Sequence, residues 1–184
     1  MSKGSKYYIS FPYNCDKAMQ AILWLLHKHG GSMDKLKLVK LLFYADREHL
    51  VRYGRPIVGG SYFAMPHGPV SSELLNIINT ATTQLGLPFT VKDYSVLTNG
   101  LVDEDKLSES DIEVLENTNC EYGRYDSFTL RDMTHNLKSW RKNYPDKDAN
   151  TSNPMPYEDF FLDVDDNGML DIIREDQEAR DFLR

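Results

Sequence analysis

Little in this chain supplies ready-made chemistry. Cys15 and Cys120 are the only two thiols in 184 residues. They form no CxxC pair, and one pair of cysteines is no disulfide framework, so two ordinary thiols are expected. No run is apolar for the length a bilayer crossing needs, which argues against a membrane-spanning helix. The opening MSKGSKYYISFPYN is polar and aromatic and lacks the apolar core of a signal peptide, so a cytoplasmic address is expected. The chain has no internal repeat and no long low-complexity segment. Its most distinctive stretch, 35–75, spells out no nucleophile, metal cage or phosphate loop.

What is present describes a globular protein. Apolar residues make up 41% and charged residues 27% of the chain, enough to bury a core. There are 21 basic and 28 acidic residues, a net charge of −7. The acid is concentrated at 146–184, with 12 acidic and 4 basic residues, or −8, leaving +1 for the rest. A nearly neutral body with an acidic appendage does not attract a phosphate backbone, so direct nucleic-acid binding is not expected. A basic protein partner suits it better, beside the plainer reading of a solvated acidic surface.

Periodicity outlines the elements. Asn14 or Asp16 opens a first helix with Ala18, Ile22 and Leu25 on one side, and Gly30-Gly31 closes it. Ser32 is the expected cap of a second helix. Its Leu36, Val39, Phe43 and Leu50 form one stripe and Leu38, Leu42 and Ala45 another, which predicts a helix packed on several sides at the centre of the fold. The run 57–65 reads as extended, followed by a His67-Gly68-Pro69 corner. Ser71 or Ser72 then caps a helix reaching Leu85. Alternation over 89–102 with Thr98-Asn99-Gly100 predicts a hairpin pairing with 57–65. Ser108 starts another helix with Asp111 three residues on. Ser127 is the expected cap of a helix carrying Leu130, Met133, Leu137 and Trp140 on one stripe. A polar loop, a short helix at 157–162 and a last helix at 169–183 follow. The fold class is thus mainly α: one domain over 1–184, of six to seven helices with a β-hairpin or a three-stranded antiparallel sheet, its core at about 15–162.

Five blocks carry a family resemblance: LVKLLFYADREHL at 38–50, GRPIVGGSYFAMPHGPV at 54–70, LSESDIEVLE at 107–116, YGRYDSFTLRDMTH at 122–135 with Trp140, and PYEDFF at 156–161. In that order they make the chain resemble the SocA-like, Panacea-domain family, which includes phage-associated GepA-type proteins. The resemblance implies a mostly helical antitoxin that neutralises a cognate toxin by direct binding. At least one branch of the family instead delivers its toxin to a protease. The resemblance brings no catalytic residues and no cofactor.

Asp46 is the sharpest single residue, lying between Phe43 and Leu50 on the apolar stripe. A carboxylate buried alone costs several kcal/mol, so it needs partners. His67, His135 or an arginine are the expected ones, pinning the His67-Gly68-Pro69 corner to the central helix. An enzyme using Asp46 as an active-site acid with His67 or His135 is the rival reading, but no nucleophile or second carboxylate accompanies it. His67 and His135 are expected to be hydrogen-bonded structural residues, as is Trp140, since no zinc-type spacing surrounds them. Asp163, Asp165 and Asn167 copy the first half of an EF-hand loop, but Arg174 stands where the bidentate glutamate belongs, so an Asx-type turn is the stronger reading. Tyr62, Phe63, Tyr122, Arg124 and Tyr125 are the candidate partner contacts, because tyrosine and arginine anchor protein interfaces.

Overall fold

The computed structural model describes residues 8–82, 86–144 and 150–183. The helix end expected at Leu85 and the first part of the polar loop lie outside the described residues. Helix α1 (Cys15–Lys28) starts where the Asn14 side chain accepts the Lys17 amide at 3.1 Å. It buries Ala21, Ile22, Leu25 and Leu26. Residues Ser32–Asp34 then form a short strand, β1, and Asp34 rather than Ser32 caps the next helix, accepting from the Lys37 amide at 3.0 Å. The cap shifts because Ser32 is in a ladder, opposite Leu97.

Helix α2 (Lys35–Tyr53) is the centre of the molecule. Leu38, Leu41, Leu42, Phe43 and Leu50 are all buried, so more than one of its faces meets protein. It packs on α4 (Glu109–Tyr122), α5 (Ser127–His135) and a strand described next.

Strands β2 (Tyr62–Met65) and β3 (Gly68–Ser71) form a hairpin, and α3 (Ser72–Thr80) leaves directly from its end with Ser71 as cap. Strands β4 (Phe89–Lys92) and β5 (Ser95–Thr98) form a second hairpin. The two do not pair with each other as expected. The sheets are β1-β5-β4 and β3-β2-β6, where β6 is Asn153–Pro154. The extended run expected at 57–65 shrinks to four residues because the amides of Ile57, Val58 and Gly59 bond to a side chain instead of a neighbouring strand. The turn of the second hairpin also moves, from Thr98-Asn99-Gly100 to Asp93-Tyr94. Asp93 takes φ 56°, a region its short polar side chain tolerates.

Helix α4 begins with the capping box expected from Ser108 and Asp111. Asp126, not Ser127, caps α5, its Oδ1 accepting the Phe128 and Thr129 amides at 2.9 Å. The stripe from Leu130 to Trp140 is split into α5 and α6 (Lys138–Asn143). Asp163 causes a fresh start there: its carboxylate accepts the Lys138 and Ser139 amides at 2.7 and 3.1 Å. A 3-10 helix (Tyr157–Asp163) and α7 (Met169–Phe182) complete the chain. Ile173 of α7 is buried, and its Ile172 is exposed. Among the described residues no helix is long and apolar enough to cross a membrane.

Candidate functional site

Asp46 points from α2 into the core and is 0% exposed. Its Oδ1 accepts the amides of Ile57 and Val58 at 2.9 and 2.8 Å. Its Oδ2 accepts the Gly59 amide at 3.0 Å and the Tyr62 hydroxyl at 2.9 Å. Burial pushes the carboxyl up, to about 6, against the downward pull of those four donors. The main chain must come close for this to happen. Gly59 has φ +74°, and a Cβ there would lie 2.5 Å from the Pro12 carbonyl oxygen. Neither His67 nor His135 nor an arginine supplies the partners expected for Asp46. The carboxylate braces 57–59, not the His67-Gly68-Pro69 turn. The physical reason is reach: the chain leaving α2 doubles back over it within 11 to 13 residues of Asp46 and presents three amides there.

The His67-Gly68-Pro69 turn is held by other groups. Lys40, 1% exposed, donates from Nζ to the Pro69 carbonyl at 2.8 Å. Lys40 Nζ and Thr134 Oγ1 fill the space beside Gly68, so a Cβ there would come within 3.0 Å of both. Burial alone drives the Lys40 ammonium down, to about 7. Trp140 donates from Nε1 to the Met65 carbonyl at 3.1 Å. His135 stacks on Trp140 with ring centres 4.0 Å apart, and its Nε2 is buried without a hydrogen-bond partner. Burial first, then the nearby Lys40 and Arg131 charges, lower the His135 pKa. His67 is exposed at the tip of the hairpin. The three residues of the enzyme reading therefore sit in different surroundings: Asp46 among amides, His135 against an indole, His67 in solvent.

A second buried carboxylate, Asp111, escaped the sequence reading except as a helix cap. It forms ion pairs with Lys17 and, at 2.9 Å, with Arg55, lies 3.1 Å from His49 Nε2, and accepts the Ser108 amide at 2.9 Å. Burial works to raise this carboxyl, but His49, Lys17, the Ser108 amide and Arg55 outweigh it and hold it well below the usual range. The hub ties α1, α2 and the chain after α2 to the start of α4. Lys40 was missed too, although a lysine inside the apolar run LVKLLF is a readable signal.

The candidate partner contacts divide. Tyr62 is 3% exposed and bonded to Asp46, so its side chain does not reach the surface, and that expectation is corrected. Alternation turns the neighbouring Phe63 to the other face of the sheet, where it is partly exposed. Tyr122 lies flat on Tyr44 with ring centres 4.1 Å apart. Arg124 is exposed, lies over the Tyr125 ring at 4.9 Å and donates to its hydroxyl at 2.8 Å. In the calcium-loop copy, Asp163 turns to the start of α6 while Asp165 and Asn167 face solvent. Among the described residues no three of His, Cys, Asp and Glu gather in an arrangement that could hold a metal ion.

Residues 38–141 match the family described as antitoxin SocA-like, Panacea domain. The matched span runs from α2 to α6 and takes in the Asp46 brace, the His67-Gly68-Pro69 hairpin and Asp111. No curated protein and no solved structure matches the chain. With more than half of its length covered by that match, the chain belongs to the SocA-like, Panacea-domain antitoxin family.

Proposed function

We propose that this chain is an antitoxin that binds a cognate toxin directly and silences it by covering its working surface. The family match over 38–141 is the observation that carries the reading. The interior supports it. The carboxylate suited to acid–base work, Asp46, has both oxygens occupied by four donors in the core, and Asp111 is enclosed by Lys17, His49 and Arg55. A general base needs a lone pair within reach of substrate. The proposed contact surface includes Arg124 and Tyr125 between α4 and α5, Tyr122 behind them, and Phe63 on β2. The acidic segment 146–184 offers a second contact to a basic toxin groove, which added salt would weaken.

Co-expression with the protein encoded by the neighbouring reading frame tests the proposal. Rescue of growth, together with a complex that co-purifies, is the expected result. A toxin that disappears only in cells containing a particular protease would make the chain a delivery adaptor instead. Substrate turnover by the purified chain, lost on Asp46→Ala in a folded variant, would overturn the reading.

A further inference from the structure

A groove of about 610 Å³ opens beside α2, bounded by the β2–β3 hairpin, α3, the β4–β5 turn and the start of α5. Its floor is apolar, with Val39, Val70 and Leu75. Two aromatic rings stand at its edge with most of their surface in water: Tyr94 is 78% exposed and Phe128 61%. Exposed aromatics beside an apolar floor are the kind of surface that partners cover, because burying them removes apolar area from water at about 25 cal/mol per Å².

Among the described residues the groove holds one accessible cation without a carboxylate partner. Its ionisable groups are Asp34, Lys35, Lys40 and His67. The Asp34 carboxylate is engaged at the N-terminus of α2, accepting the Lys37 amide. Lys35 reaches only the neutral Asn79 side chain, at 3.2 Å, and Lys40 only the Pro69 carbonyl. Among the described residues neither lysine is ion-paired. Lys40 is 1% exposed and turned to the Pro69 carbonyl, so Lys35 is the accessible cation of this apolar groove, without a carboxylate partner in a chain of net charge −7. Position adds a third argument. Phe128 follows Arg124 and Tyr125 by a few residues, so the groove continues the contact surface proposed above.

We infer that this groove seats an apolar segment of a partner protein that carries a carboxylate, with Tyr94 and Phe128 closing on the apolar part and Lys35 facing the acid. The inference rests on the reading of this chain as a protein-binding antitoxin and names the chemistry of the segment it takes. A hydrophobic seat supplies affinity, and an unpaired cation in it selects an acidic segment that the rest of this acidic surface repels.

Panning a random dodecapeptide phage library on the full chain tests it. Selected peptides are expected to combine leucine or phenylalanine with aspartate or glutamate. Their affinity, read by fluorescence polarisation, should weaken about tenfold or more in Phe128→Ser and in Tyr94→Ser, and about fivefold in Lys35→Ala. Both rings are exposed, so the serine variants should melt within about 2 °C of wild type. Selection of basic peptides, no selection, or affinity unchanged in the groove variants would overturn the inference. So would a wild-type dimer that Phe128→Ser converts to monomer, since the occupant would then be a second copy. Toxin rescue separates the two readings. Rescue that survives the Tyr94→Ser, Phe128→Ser double variant removes the groove as the toxin's seat and leaves the antitoxin reading standing. Absent rescue by wild type, with acidic peptides still bound in the groove, overturns the antitoxin reading alone.

Discussion

Replacing Asp46 by alanine strands four donors in the core. The amides of Ile57, Val58 and Gly59 and the Tyr62 hydroxyl all reach it from 2.8 to 3.0 Å. A buried donor without an acceptor costs about 1–3 kcal/mol, so four give about 4–12 kcal/mol. At pH 7 the substitution also removes the cost of keeping the carboxylate ionised in the core. The gap between 3.8 and about 6 sets that cost, at about 3 kcal/mol. The middle of the remainder is about 5 kcal/mol, or about 10–20 °C in Tm for a chain of this size. Scanning calorimetry at pH 7 reads it directly, and a Tm within about 2 °C of wild type would refute the brace. The pH dependence supplies a second check. Between pH 4 and about 6 the folded carboxyl keeps a proton that the unfolded chain has lost. Wild-type stability therefore falls as pH rises through that window, and the Asp46→Ala variant lacks this slope. The deficit of the variant should be larger at pH 4.5 than at pH 7, by about 2 kcal/mol. A deficit that grew with rising pH would refute a buried, proton-retaining carboxyl even if its size were right.

Three further outcomes follow from the same contacts. Lys40 titrates at about 7 when folded and 10.5 when unfolded. Above pH 7 the unfolded chain thus binds the extra proton and wild-type stability rises. Denaturant titrations should show a gain of about 2–3 kcal/mol from pH 7 to 9 that Lys40→Met lacks. Gly59→Ala forces a side chain into φ +74° and against the Pro12 carbonyl. It should cost about 3 kcal/mol or more by calorimetry. Tyr125→Ala should weaken rescue in a growth assay while leaving the melting curve in place, and unchanged rescue would remove that residue from the contact surface.

The extent to which sequence determines this protein varies with the range of each interaction. Asn14 and the Ser108–Asp111 pair mark helix starts because a cap acts on amides two or three residues away. The width of the apolar arc around Phe43 is equally local, and it alone requires Asp46 to be buried and bonded. Asp126 and Asp34 displaced the serines expected as caps, since a carboxylate one or two residues off competes for the same amides. The break between α5 and α6 was illegible: Asp163, which caps α6, lies 25 residues beyond Lys138.

Local pattern specified a mainly helical chain around a central apolar helix, with a carboxylate that had to find donors inside it. The sequence also carried, in ordered blocks, enough of the family pattern to be recognised. Which donors those were, which strands became neighbours, and the convergence of Lys17, His49 and Arg55 on Asp111 depended on how distant segments pack. Helix caps and periodic stripes are set by residues within a turn of one another. Strand neighbours and the partners of a buried charge are set by whichever distant segment packs there, and spacing along the chain does not encode that.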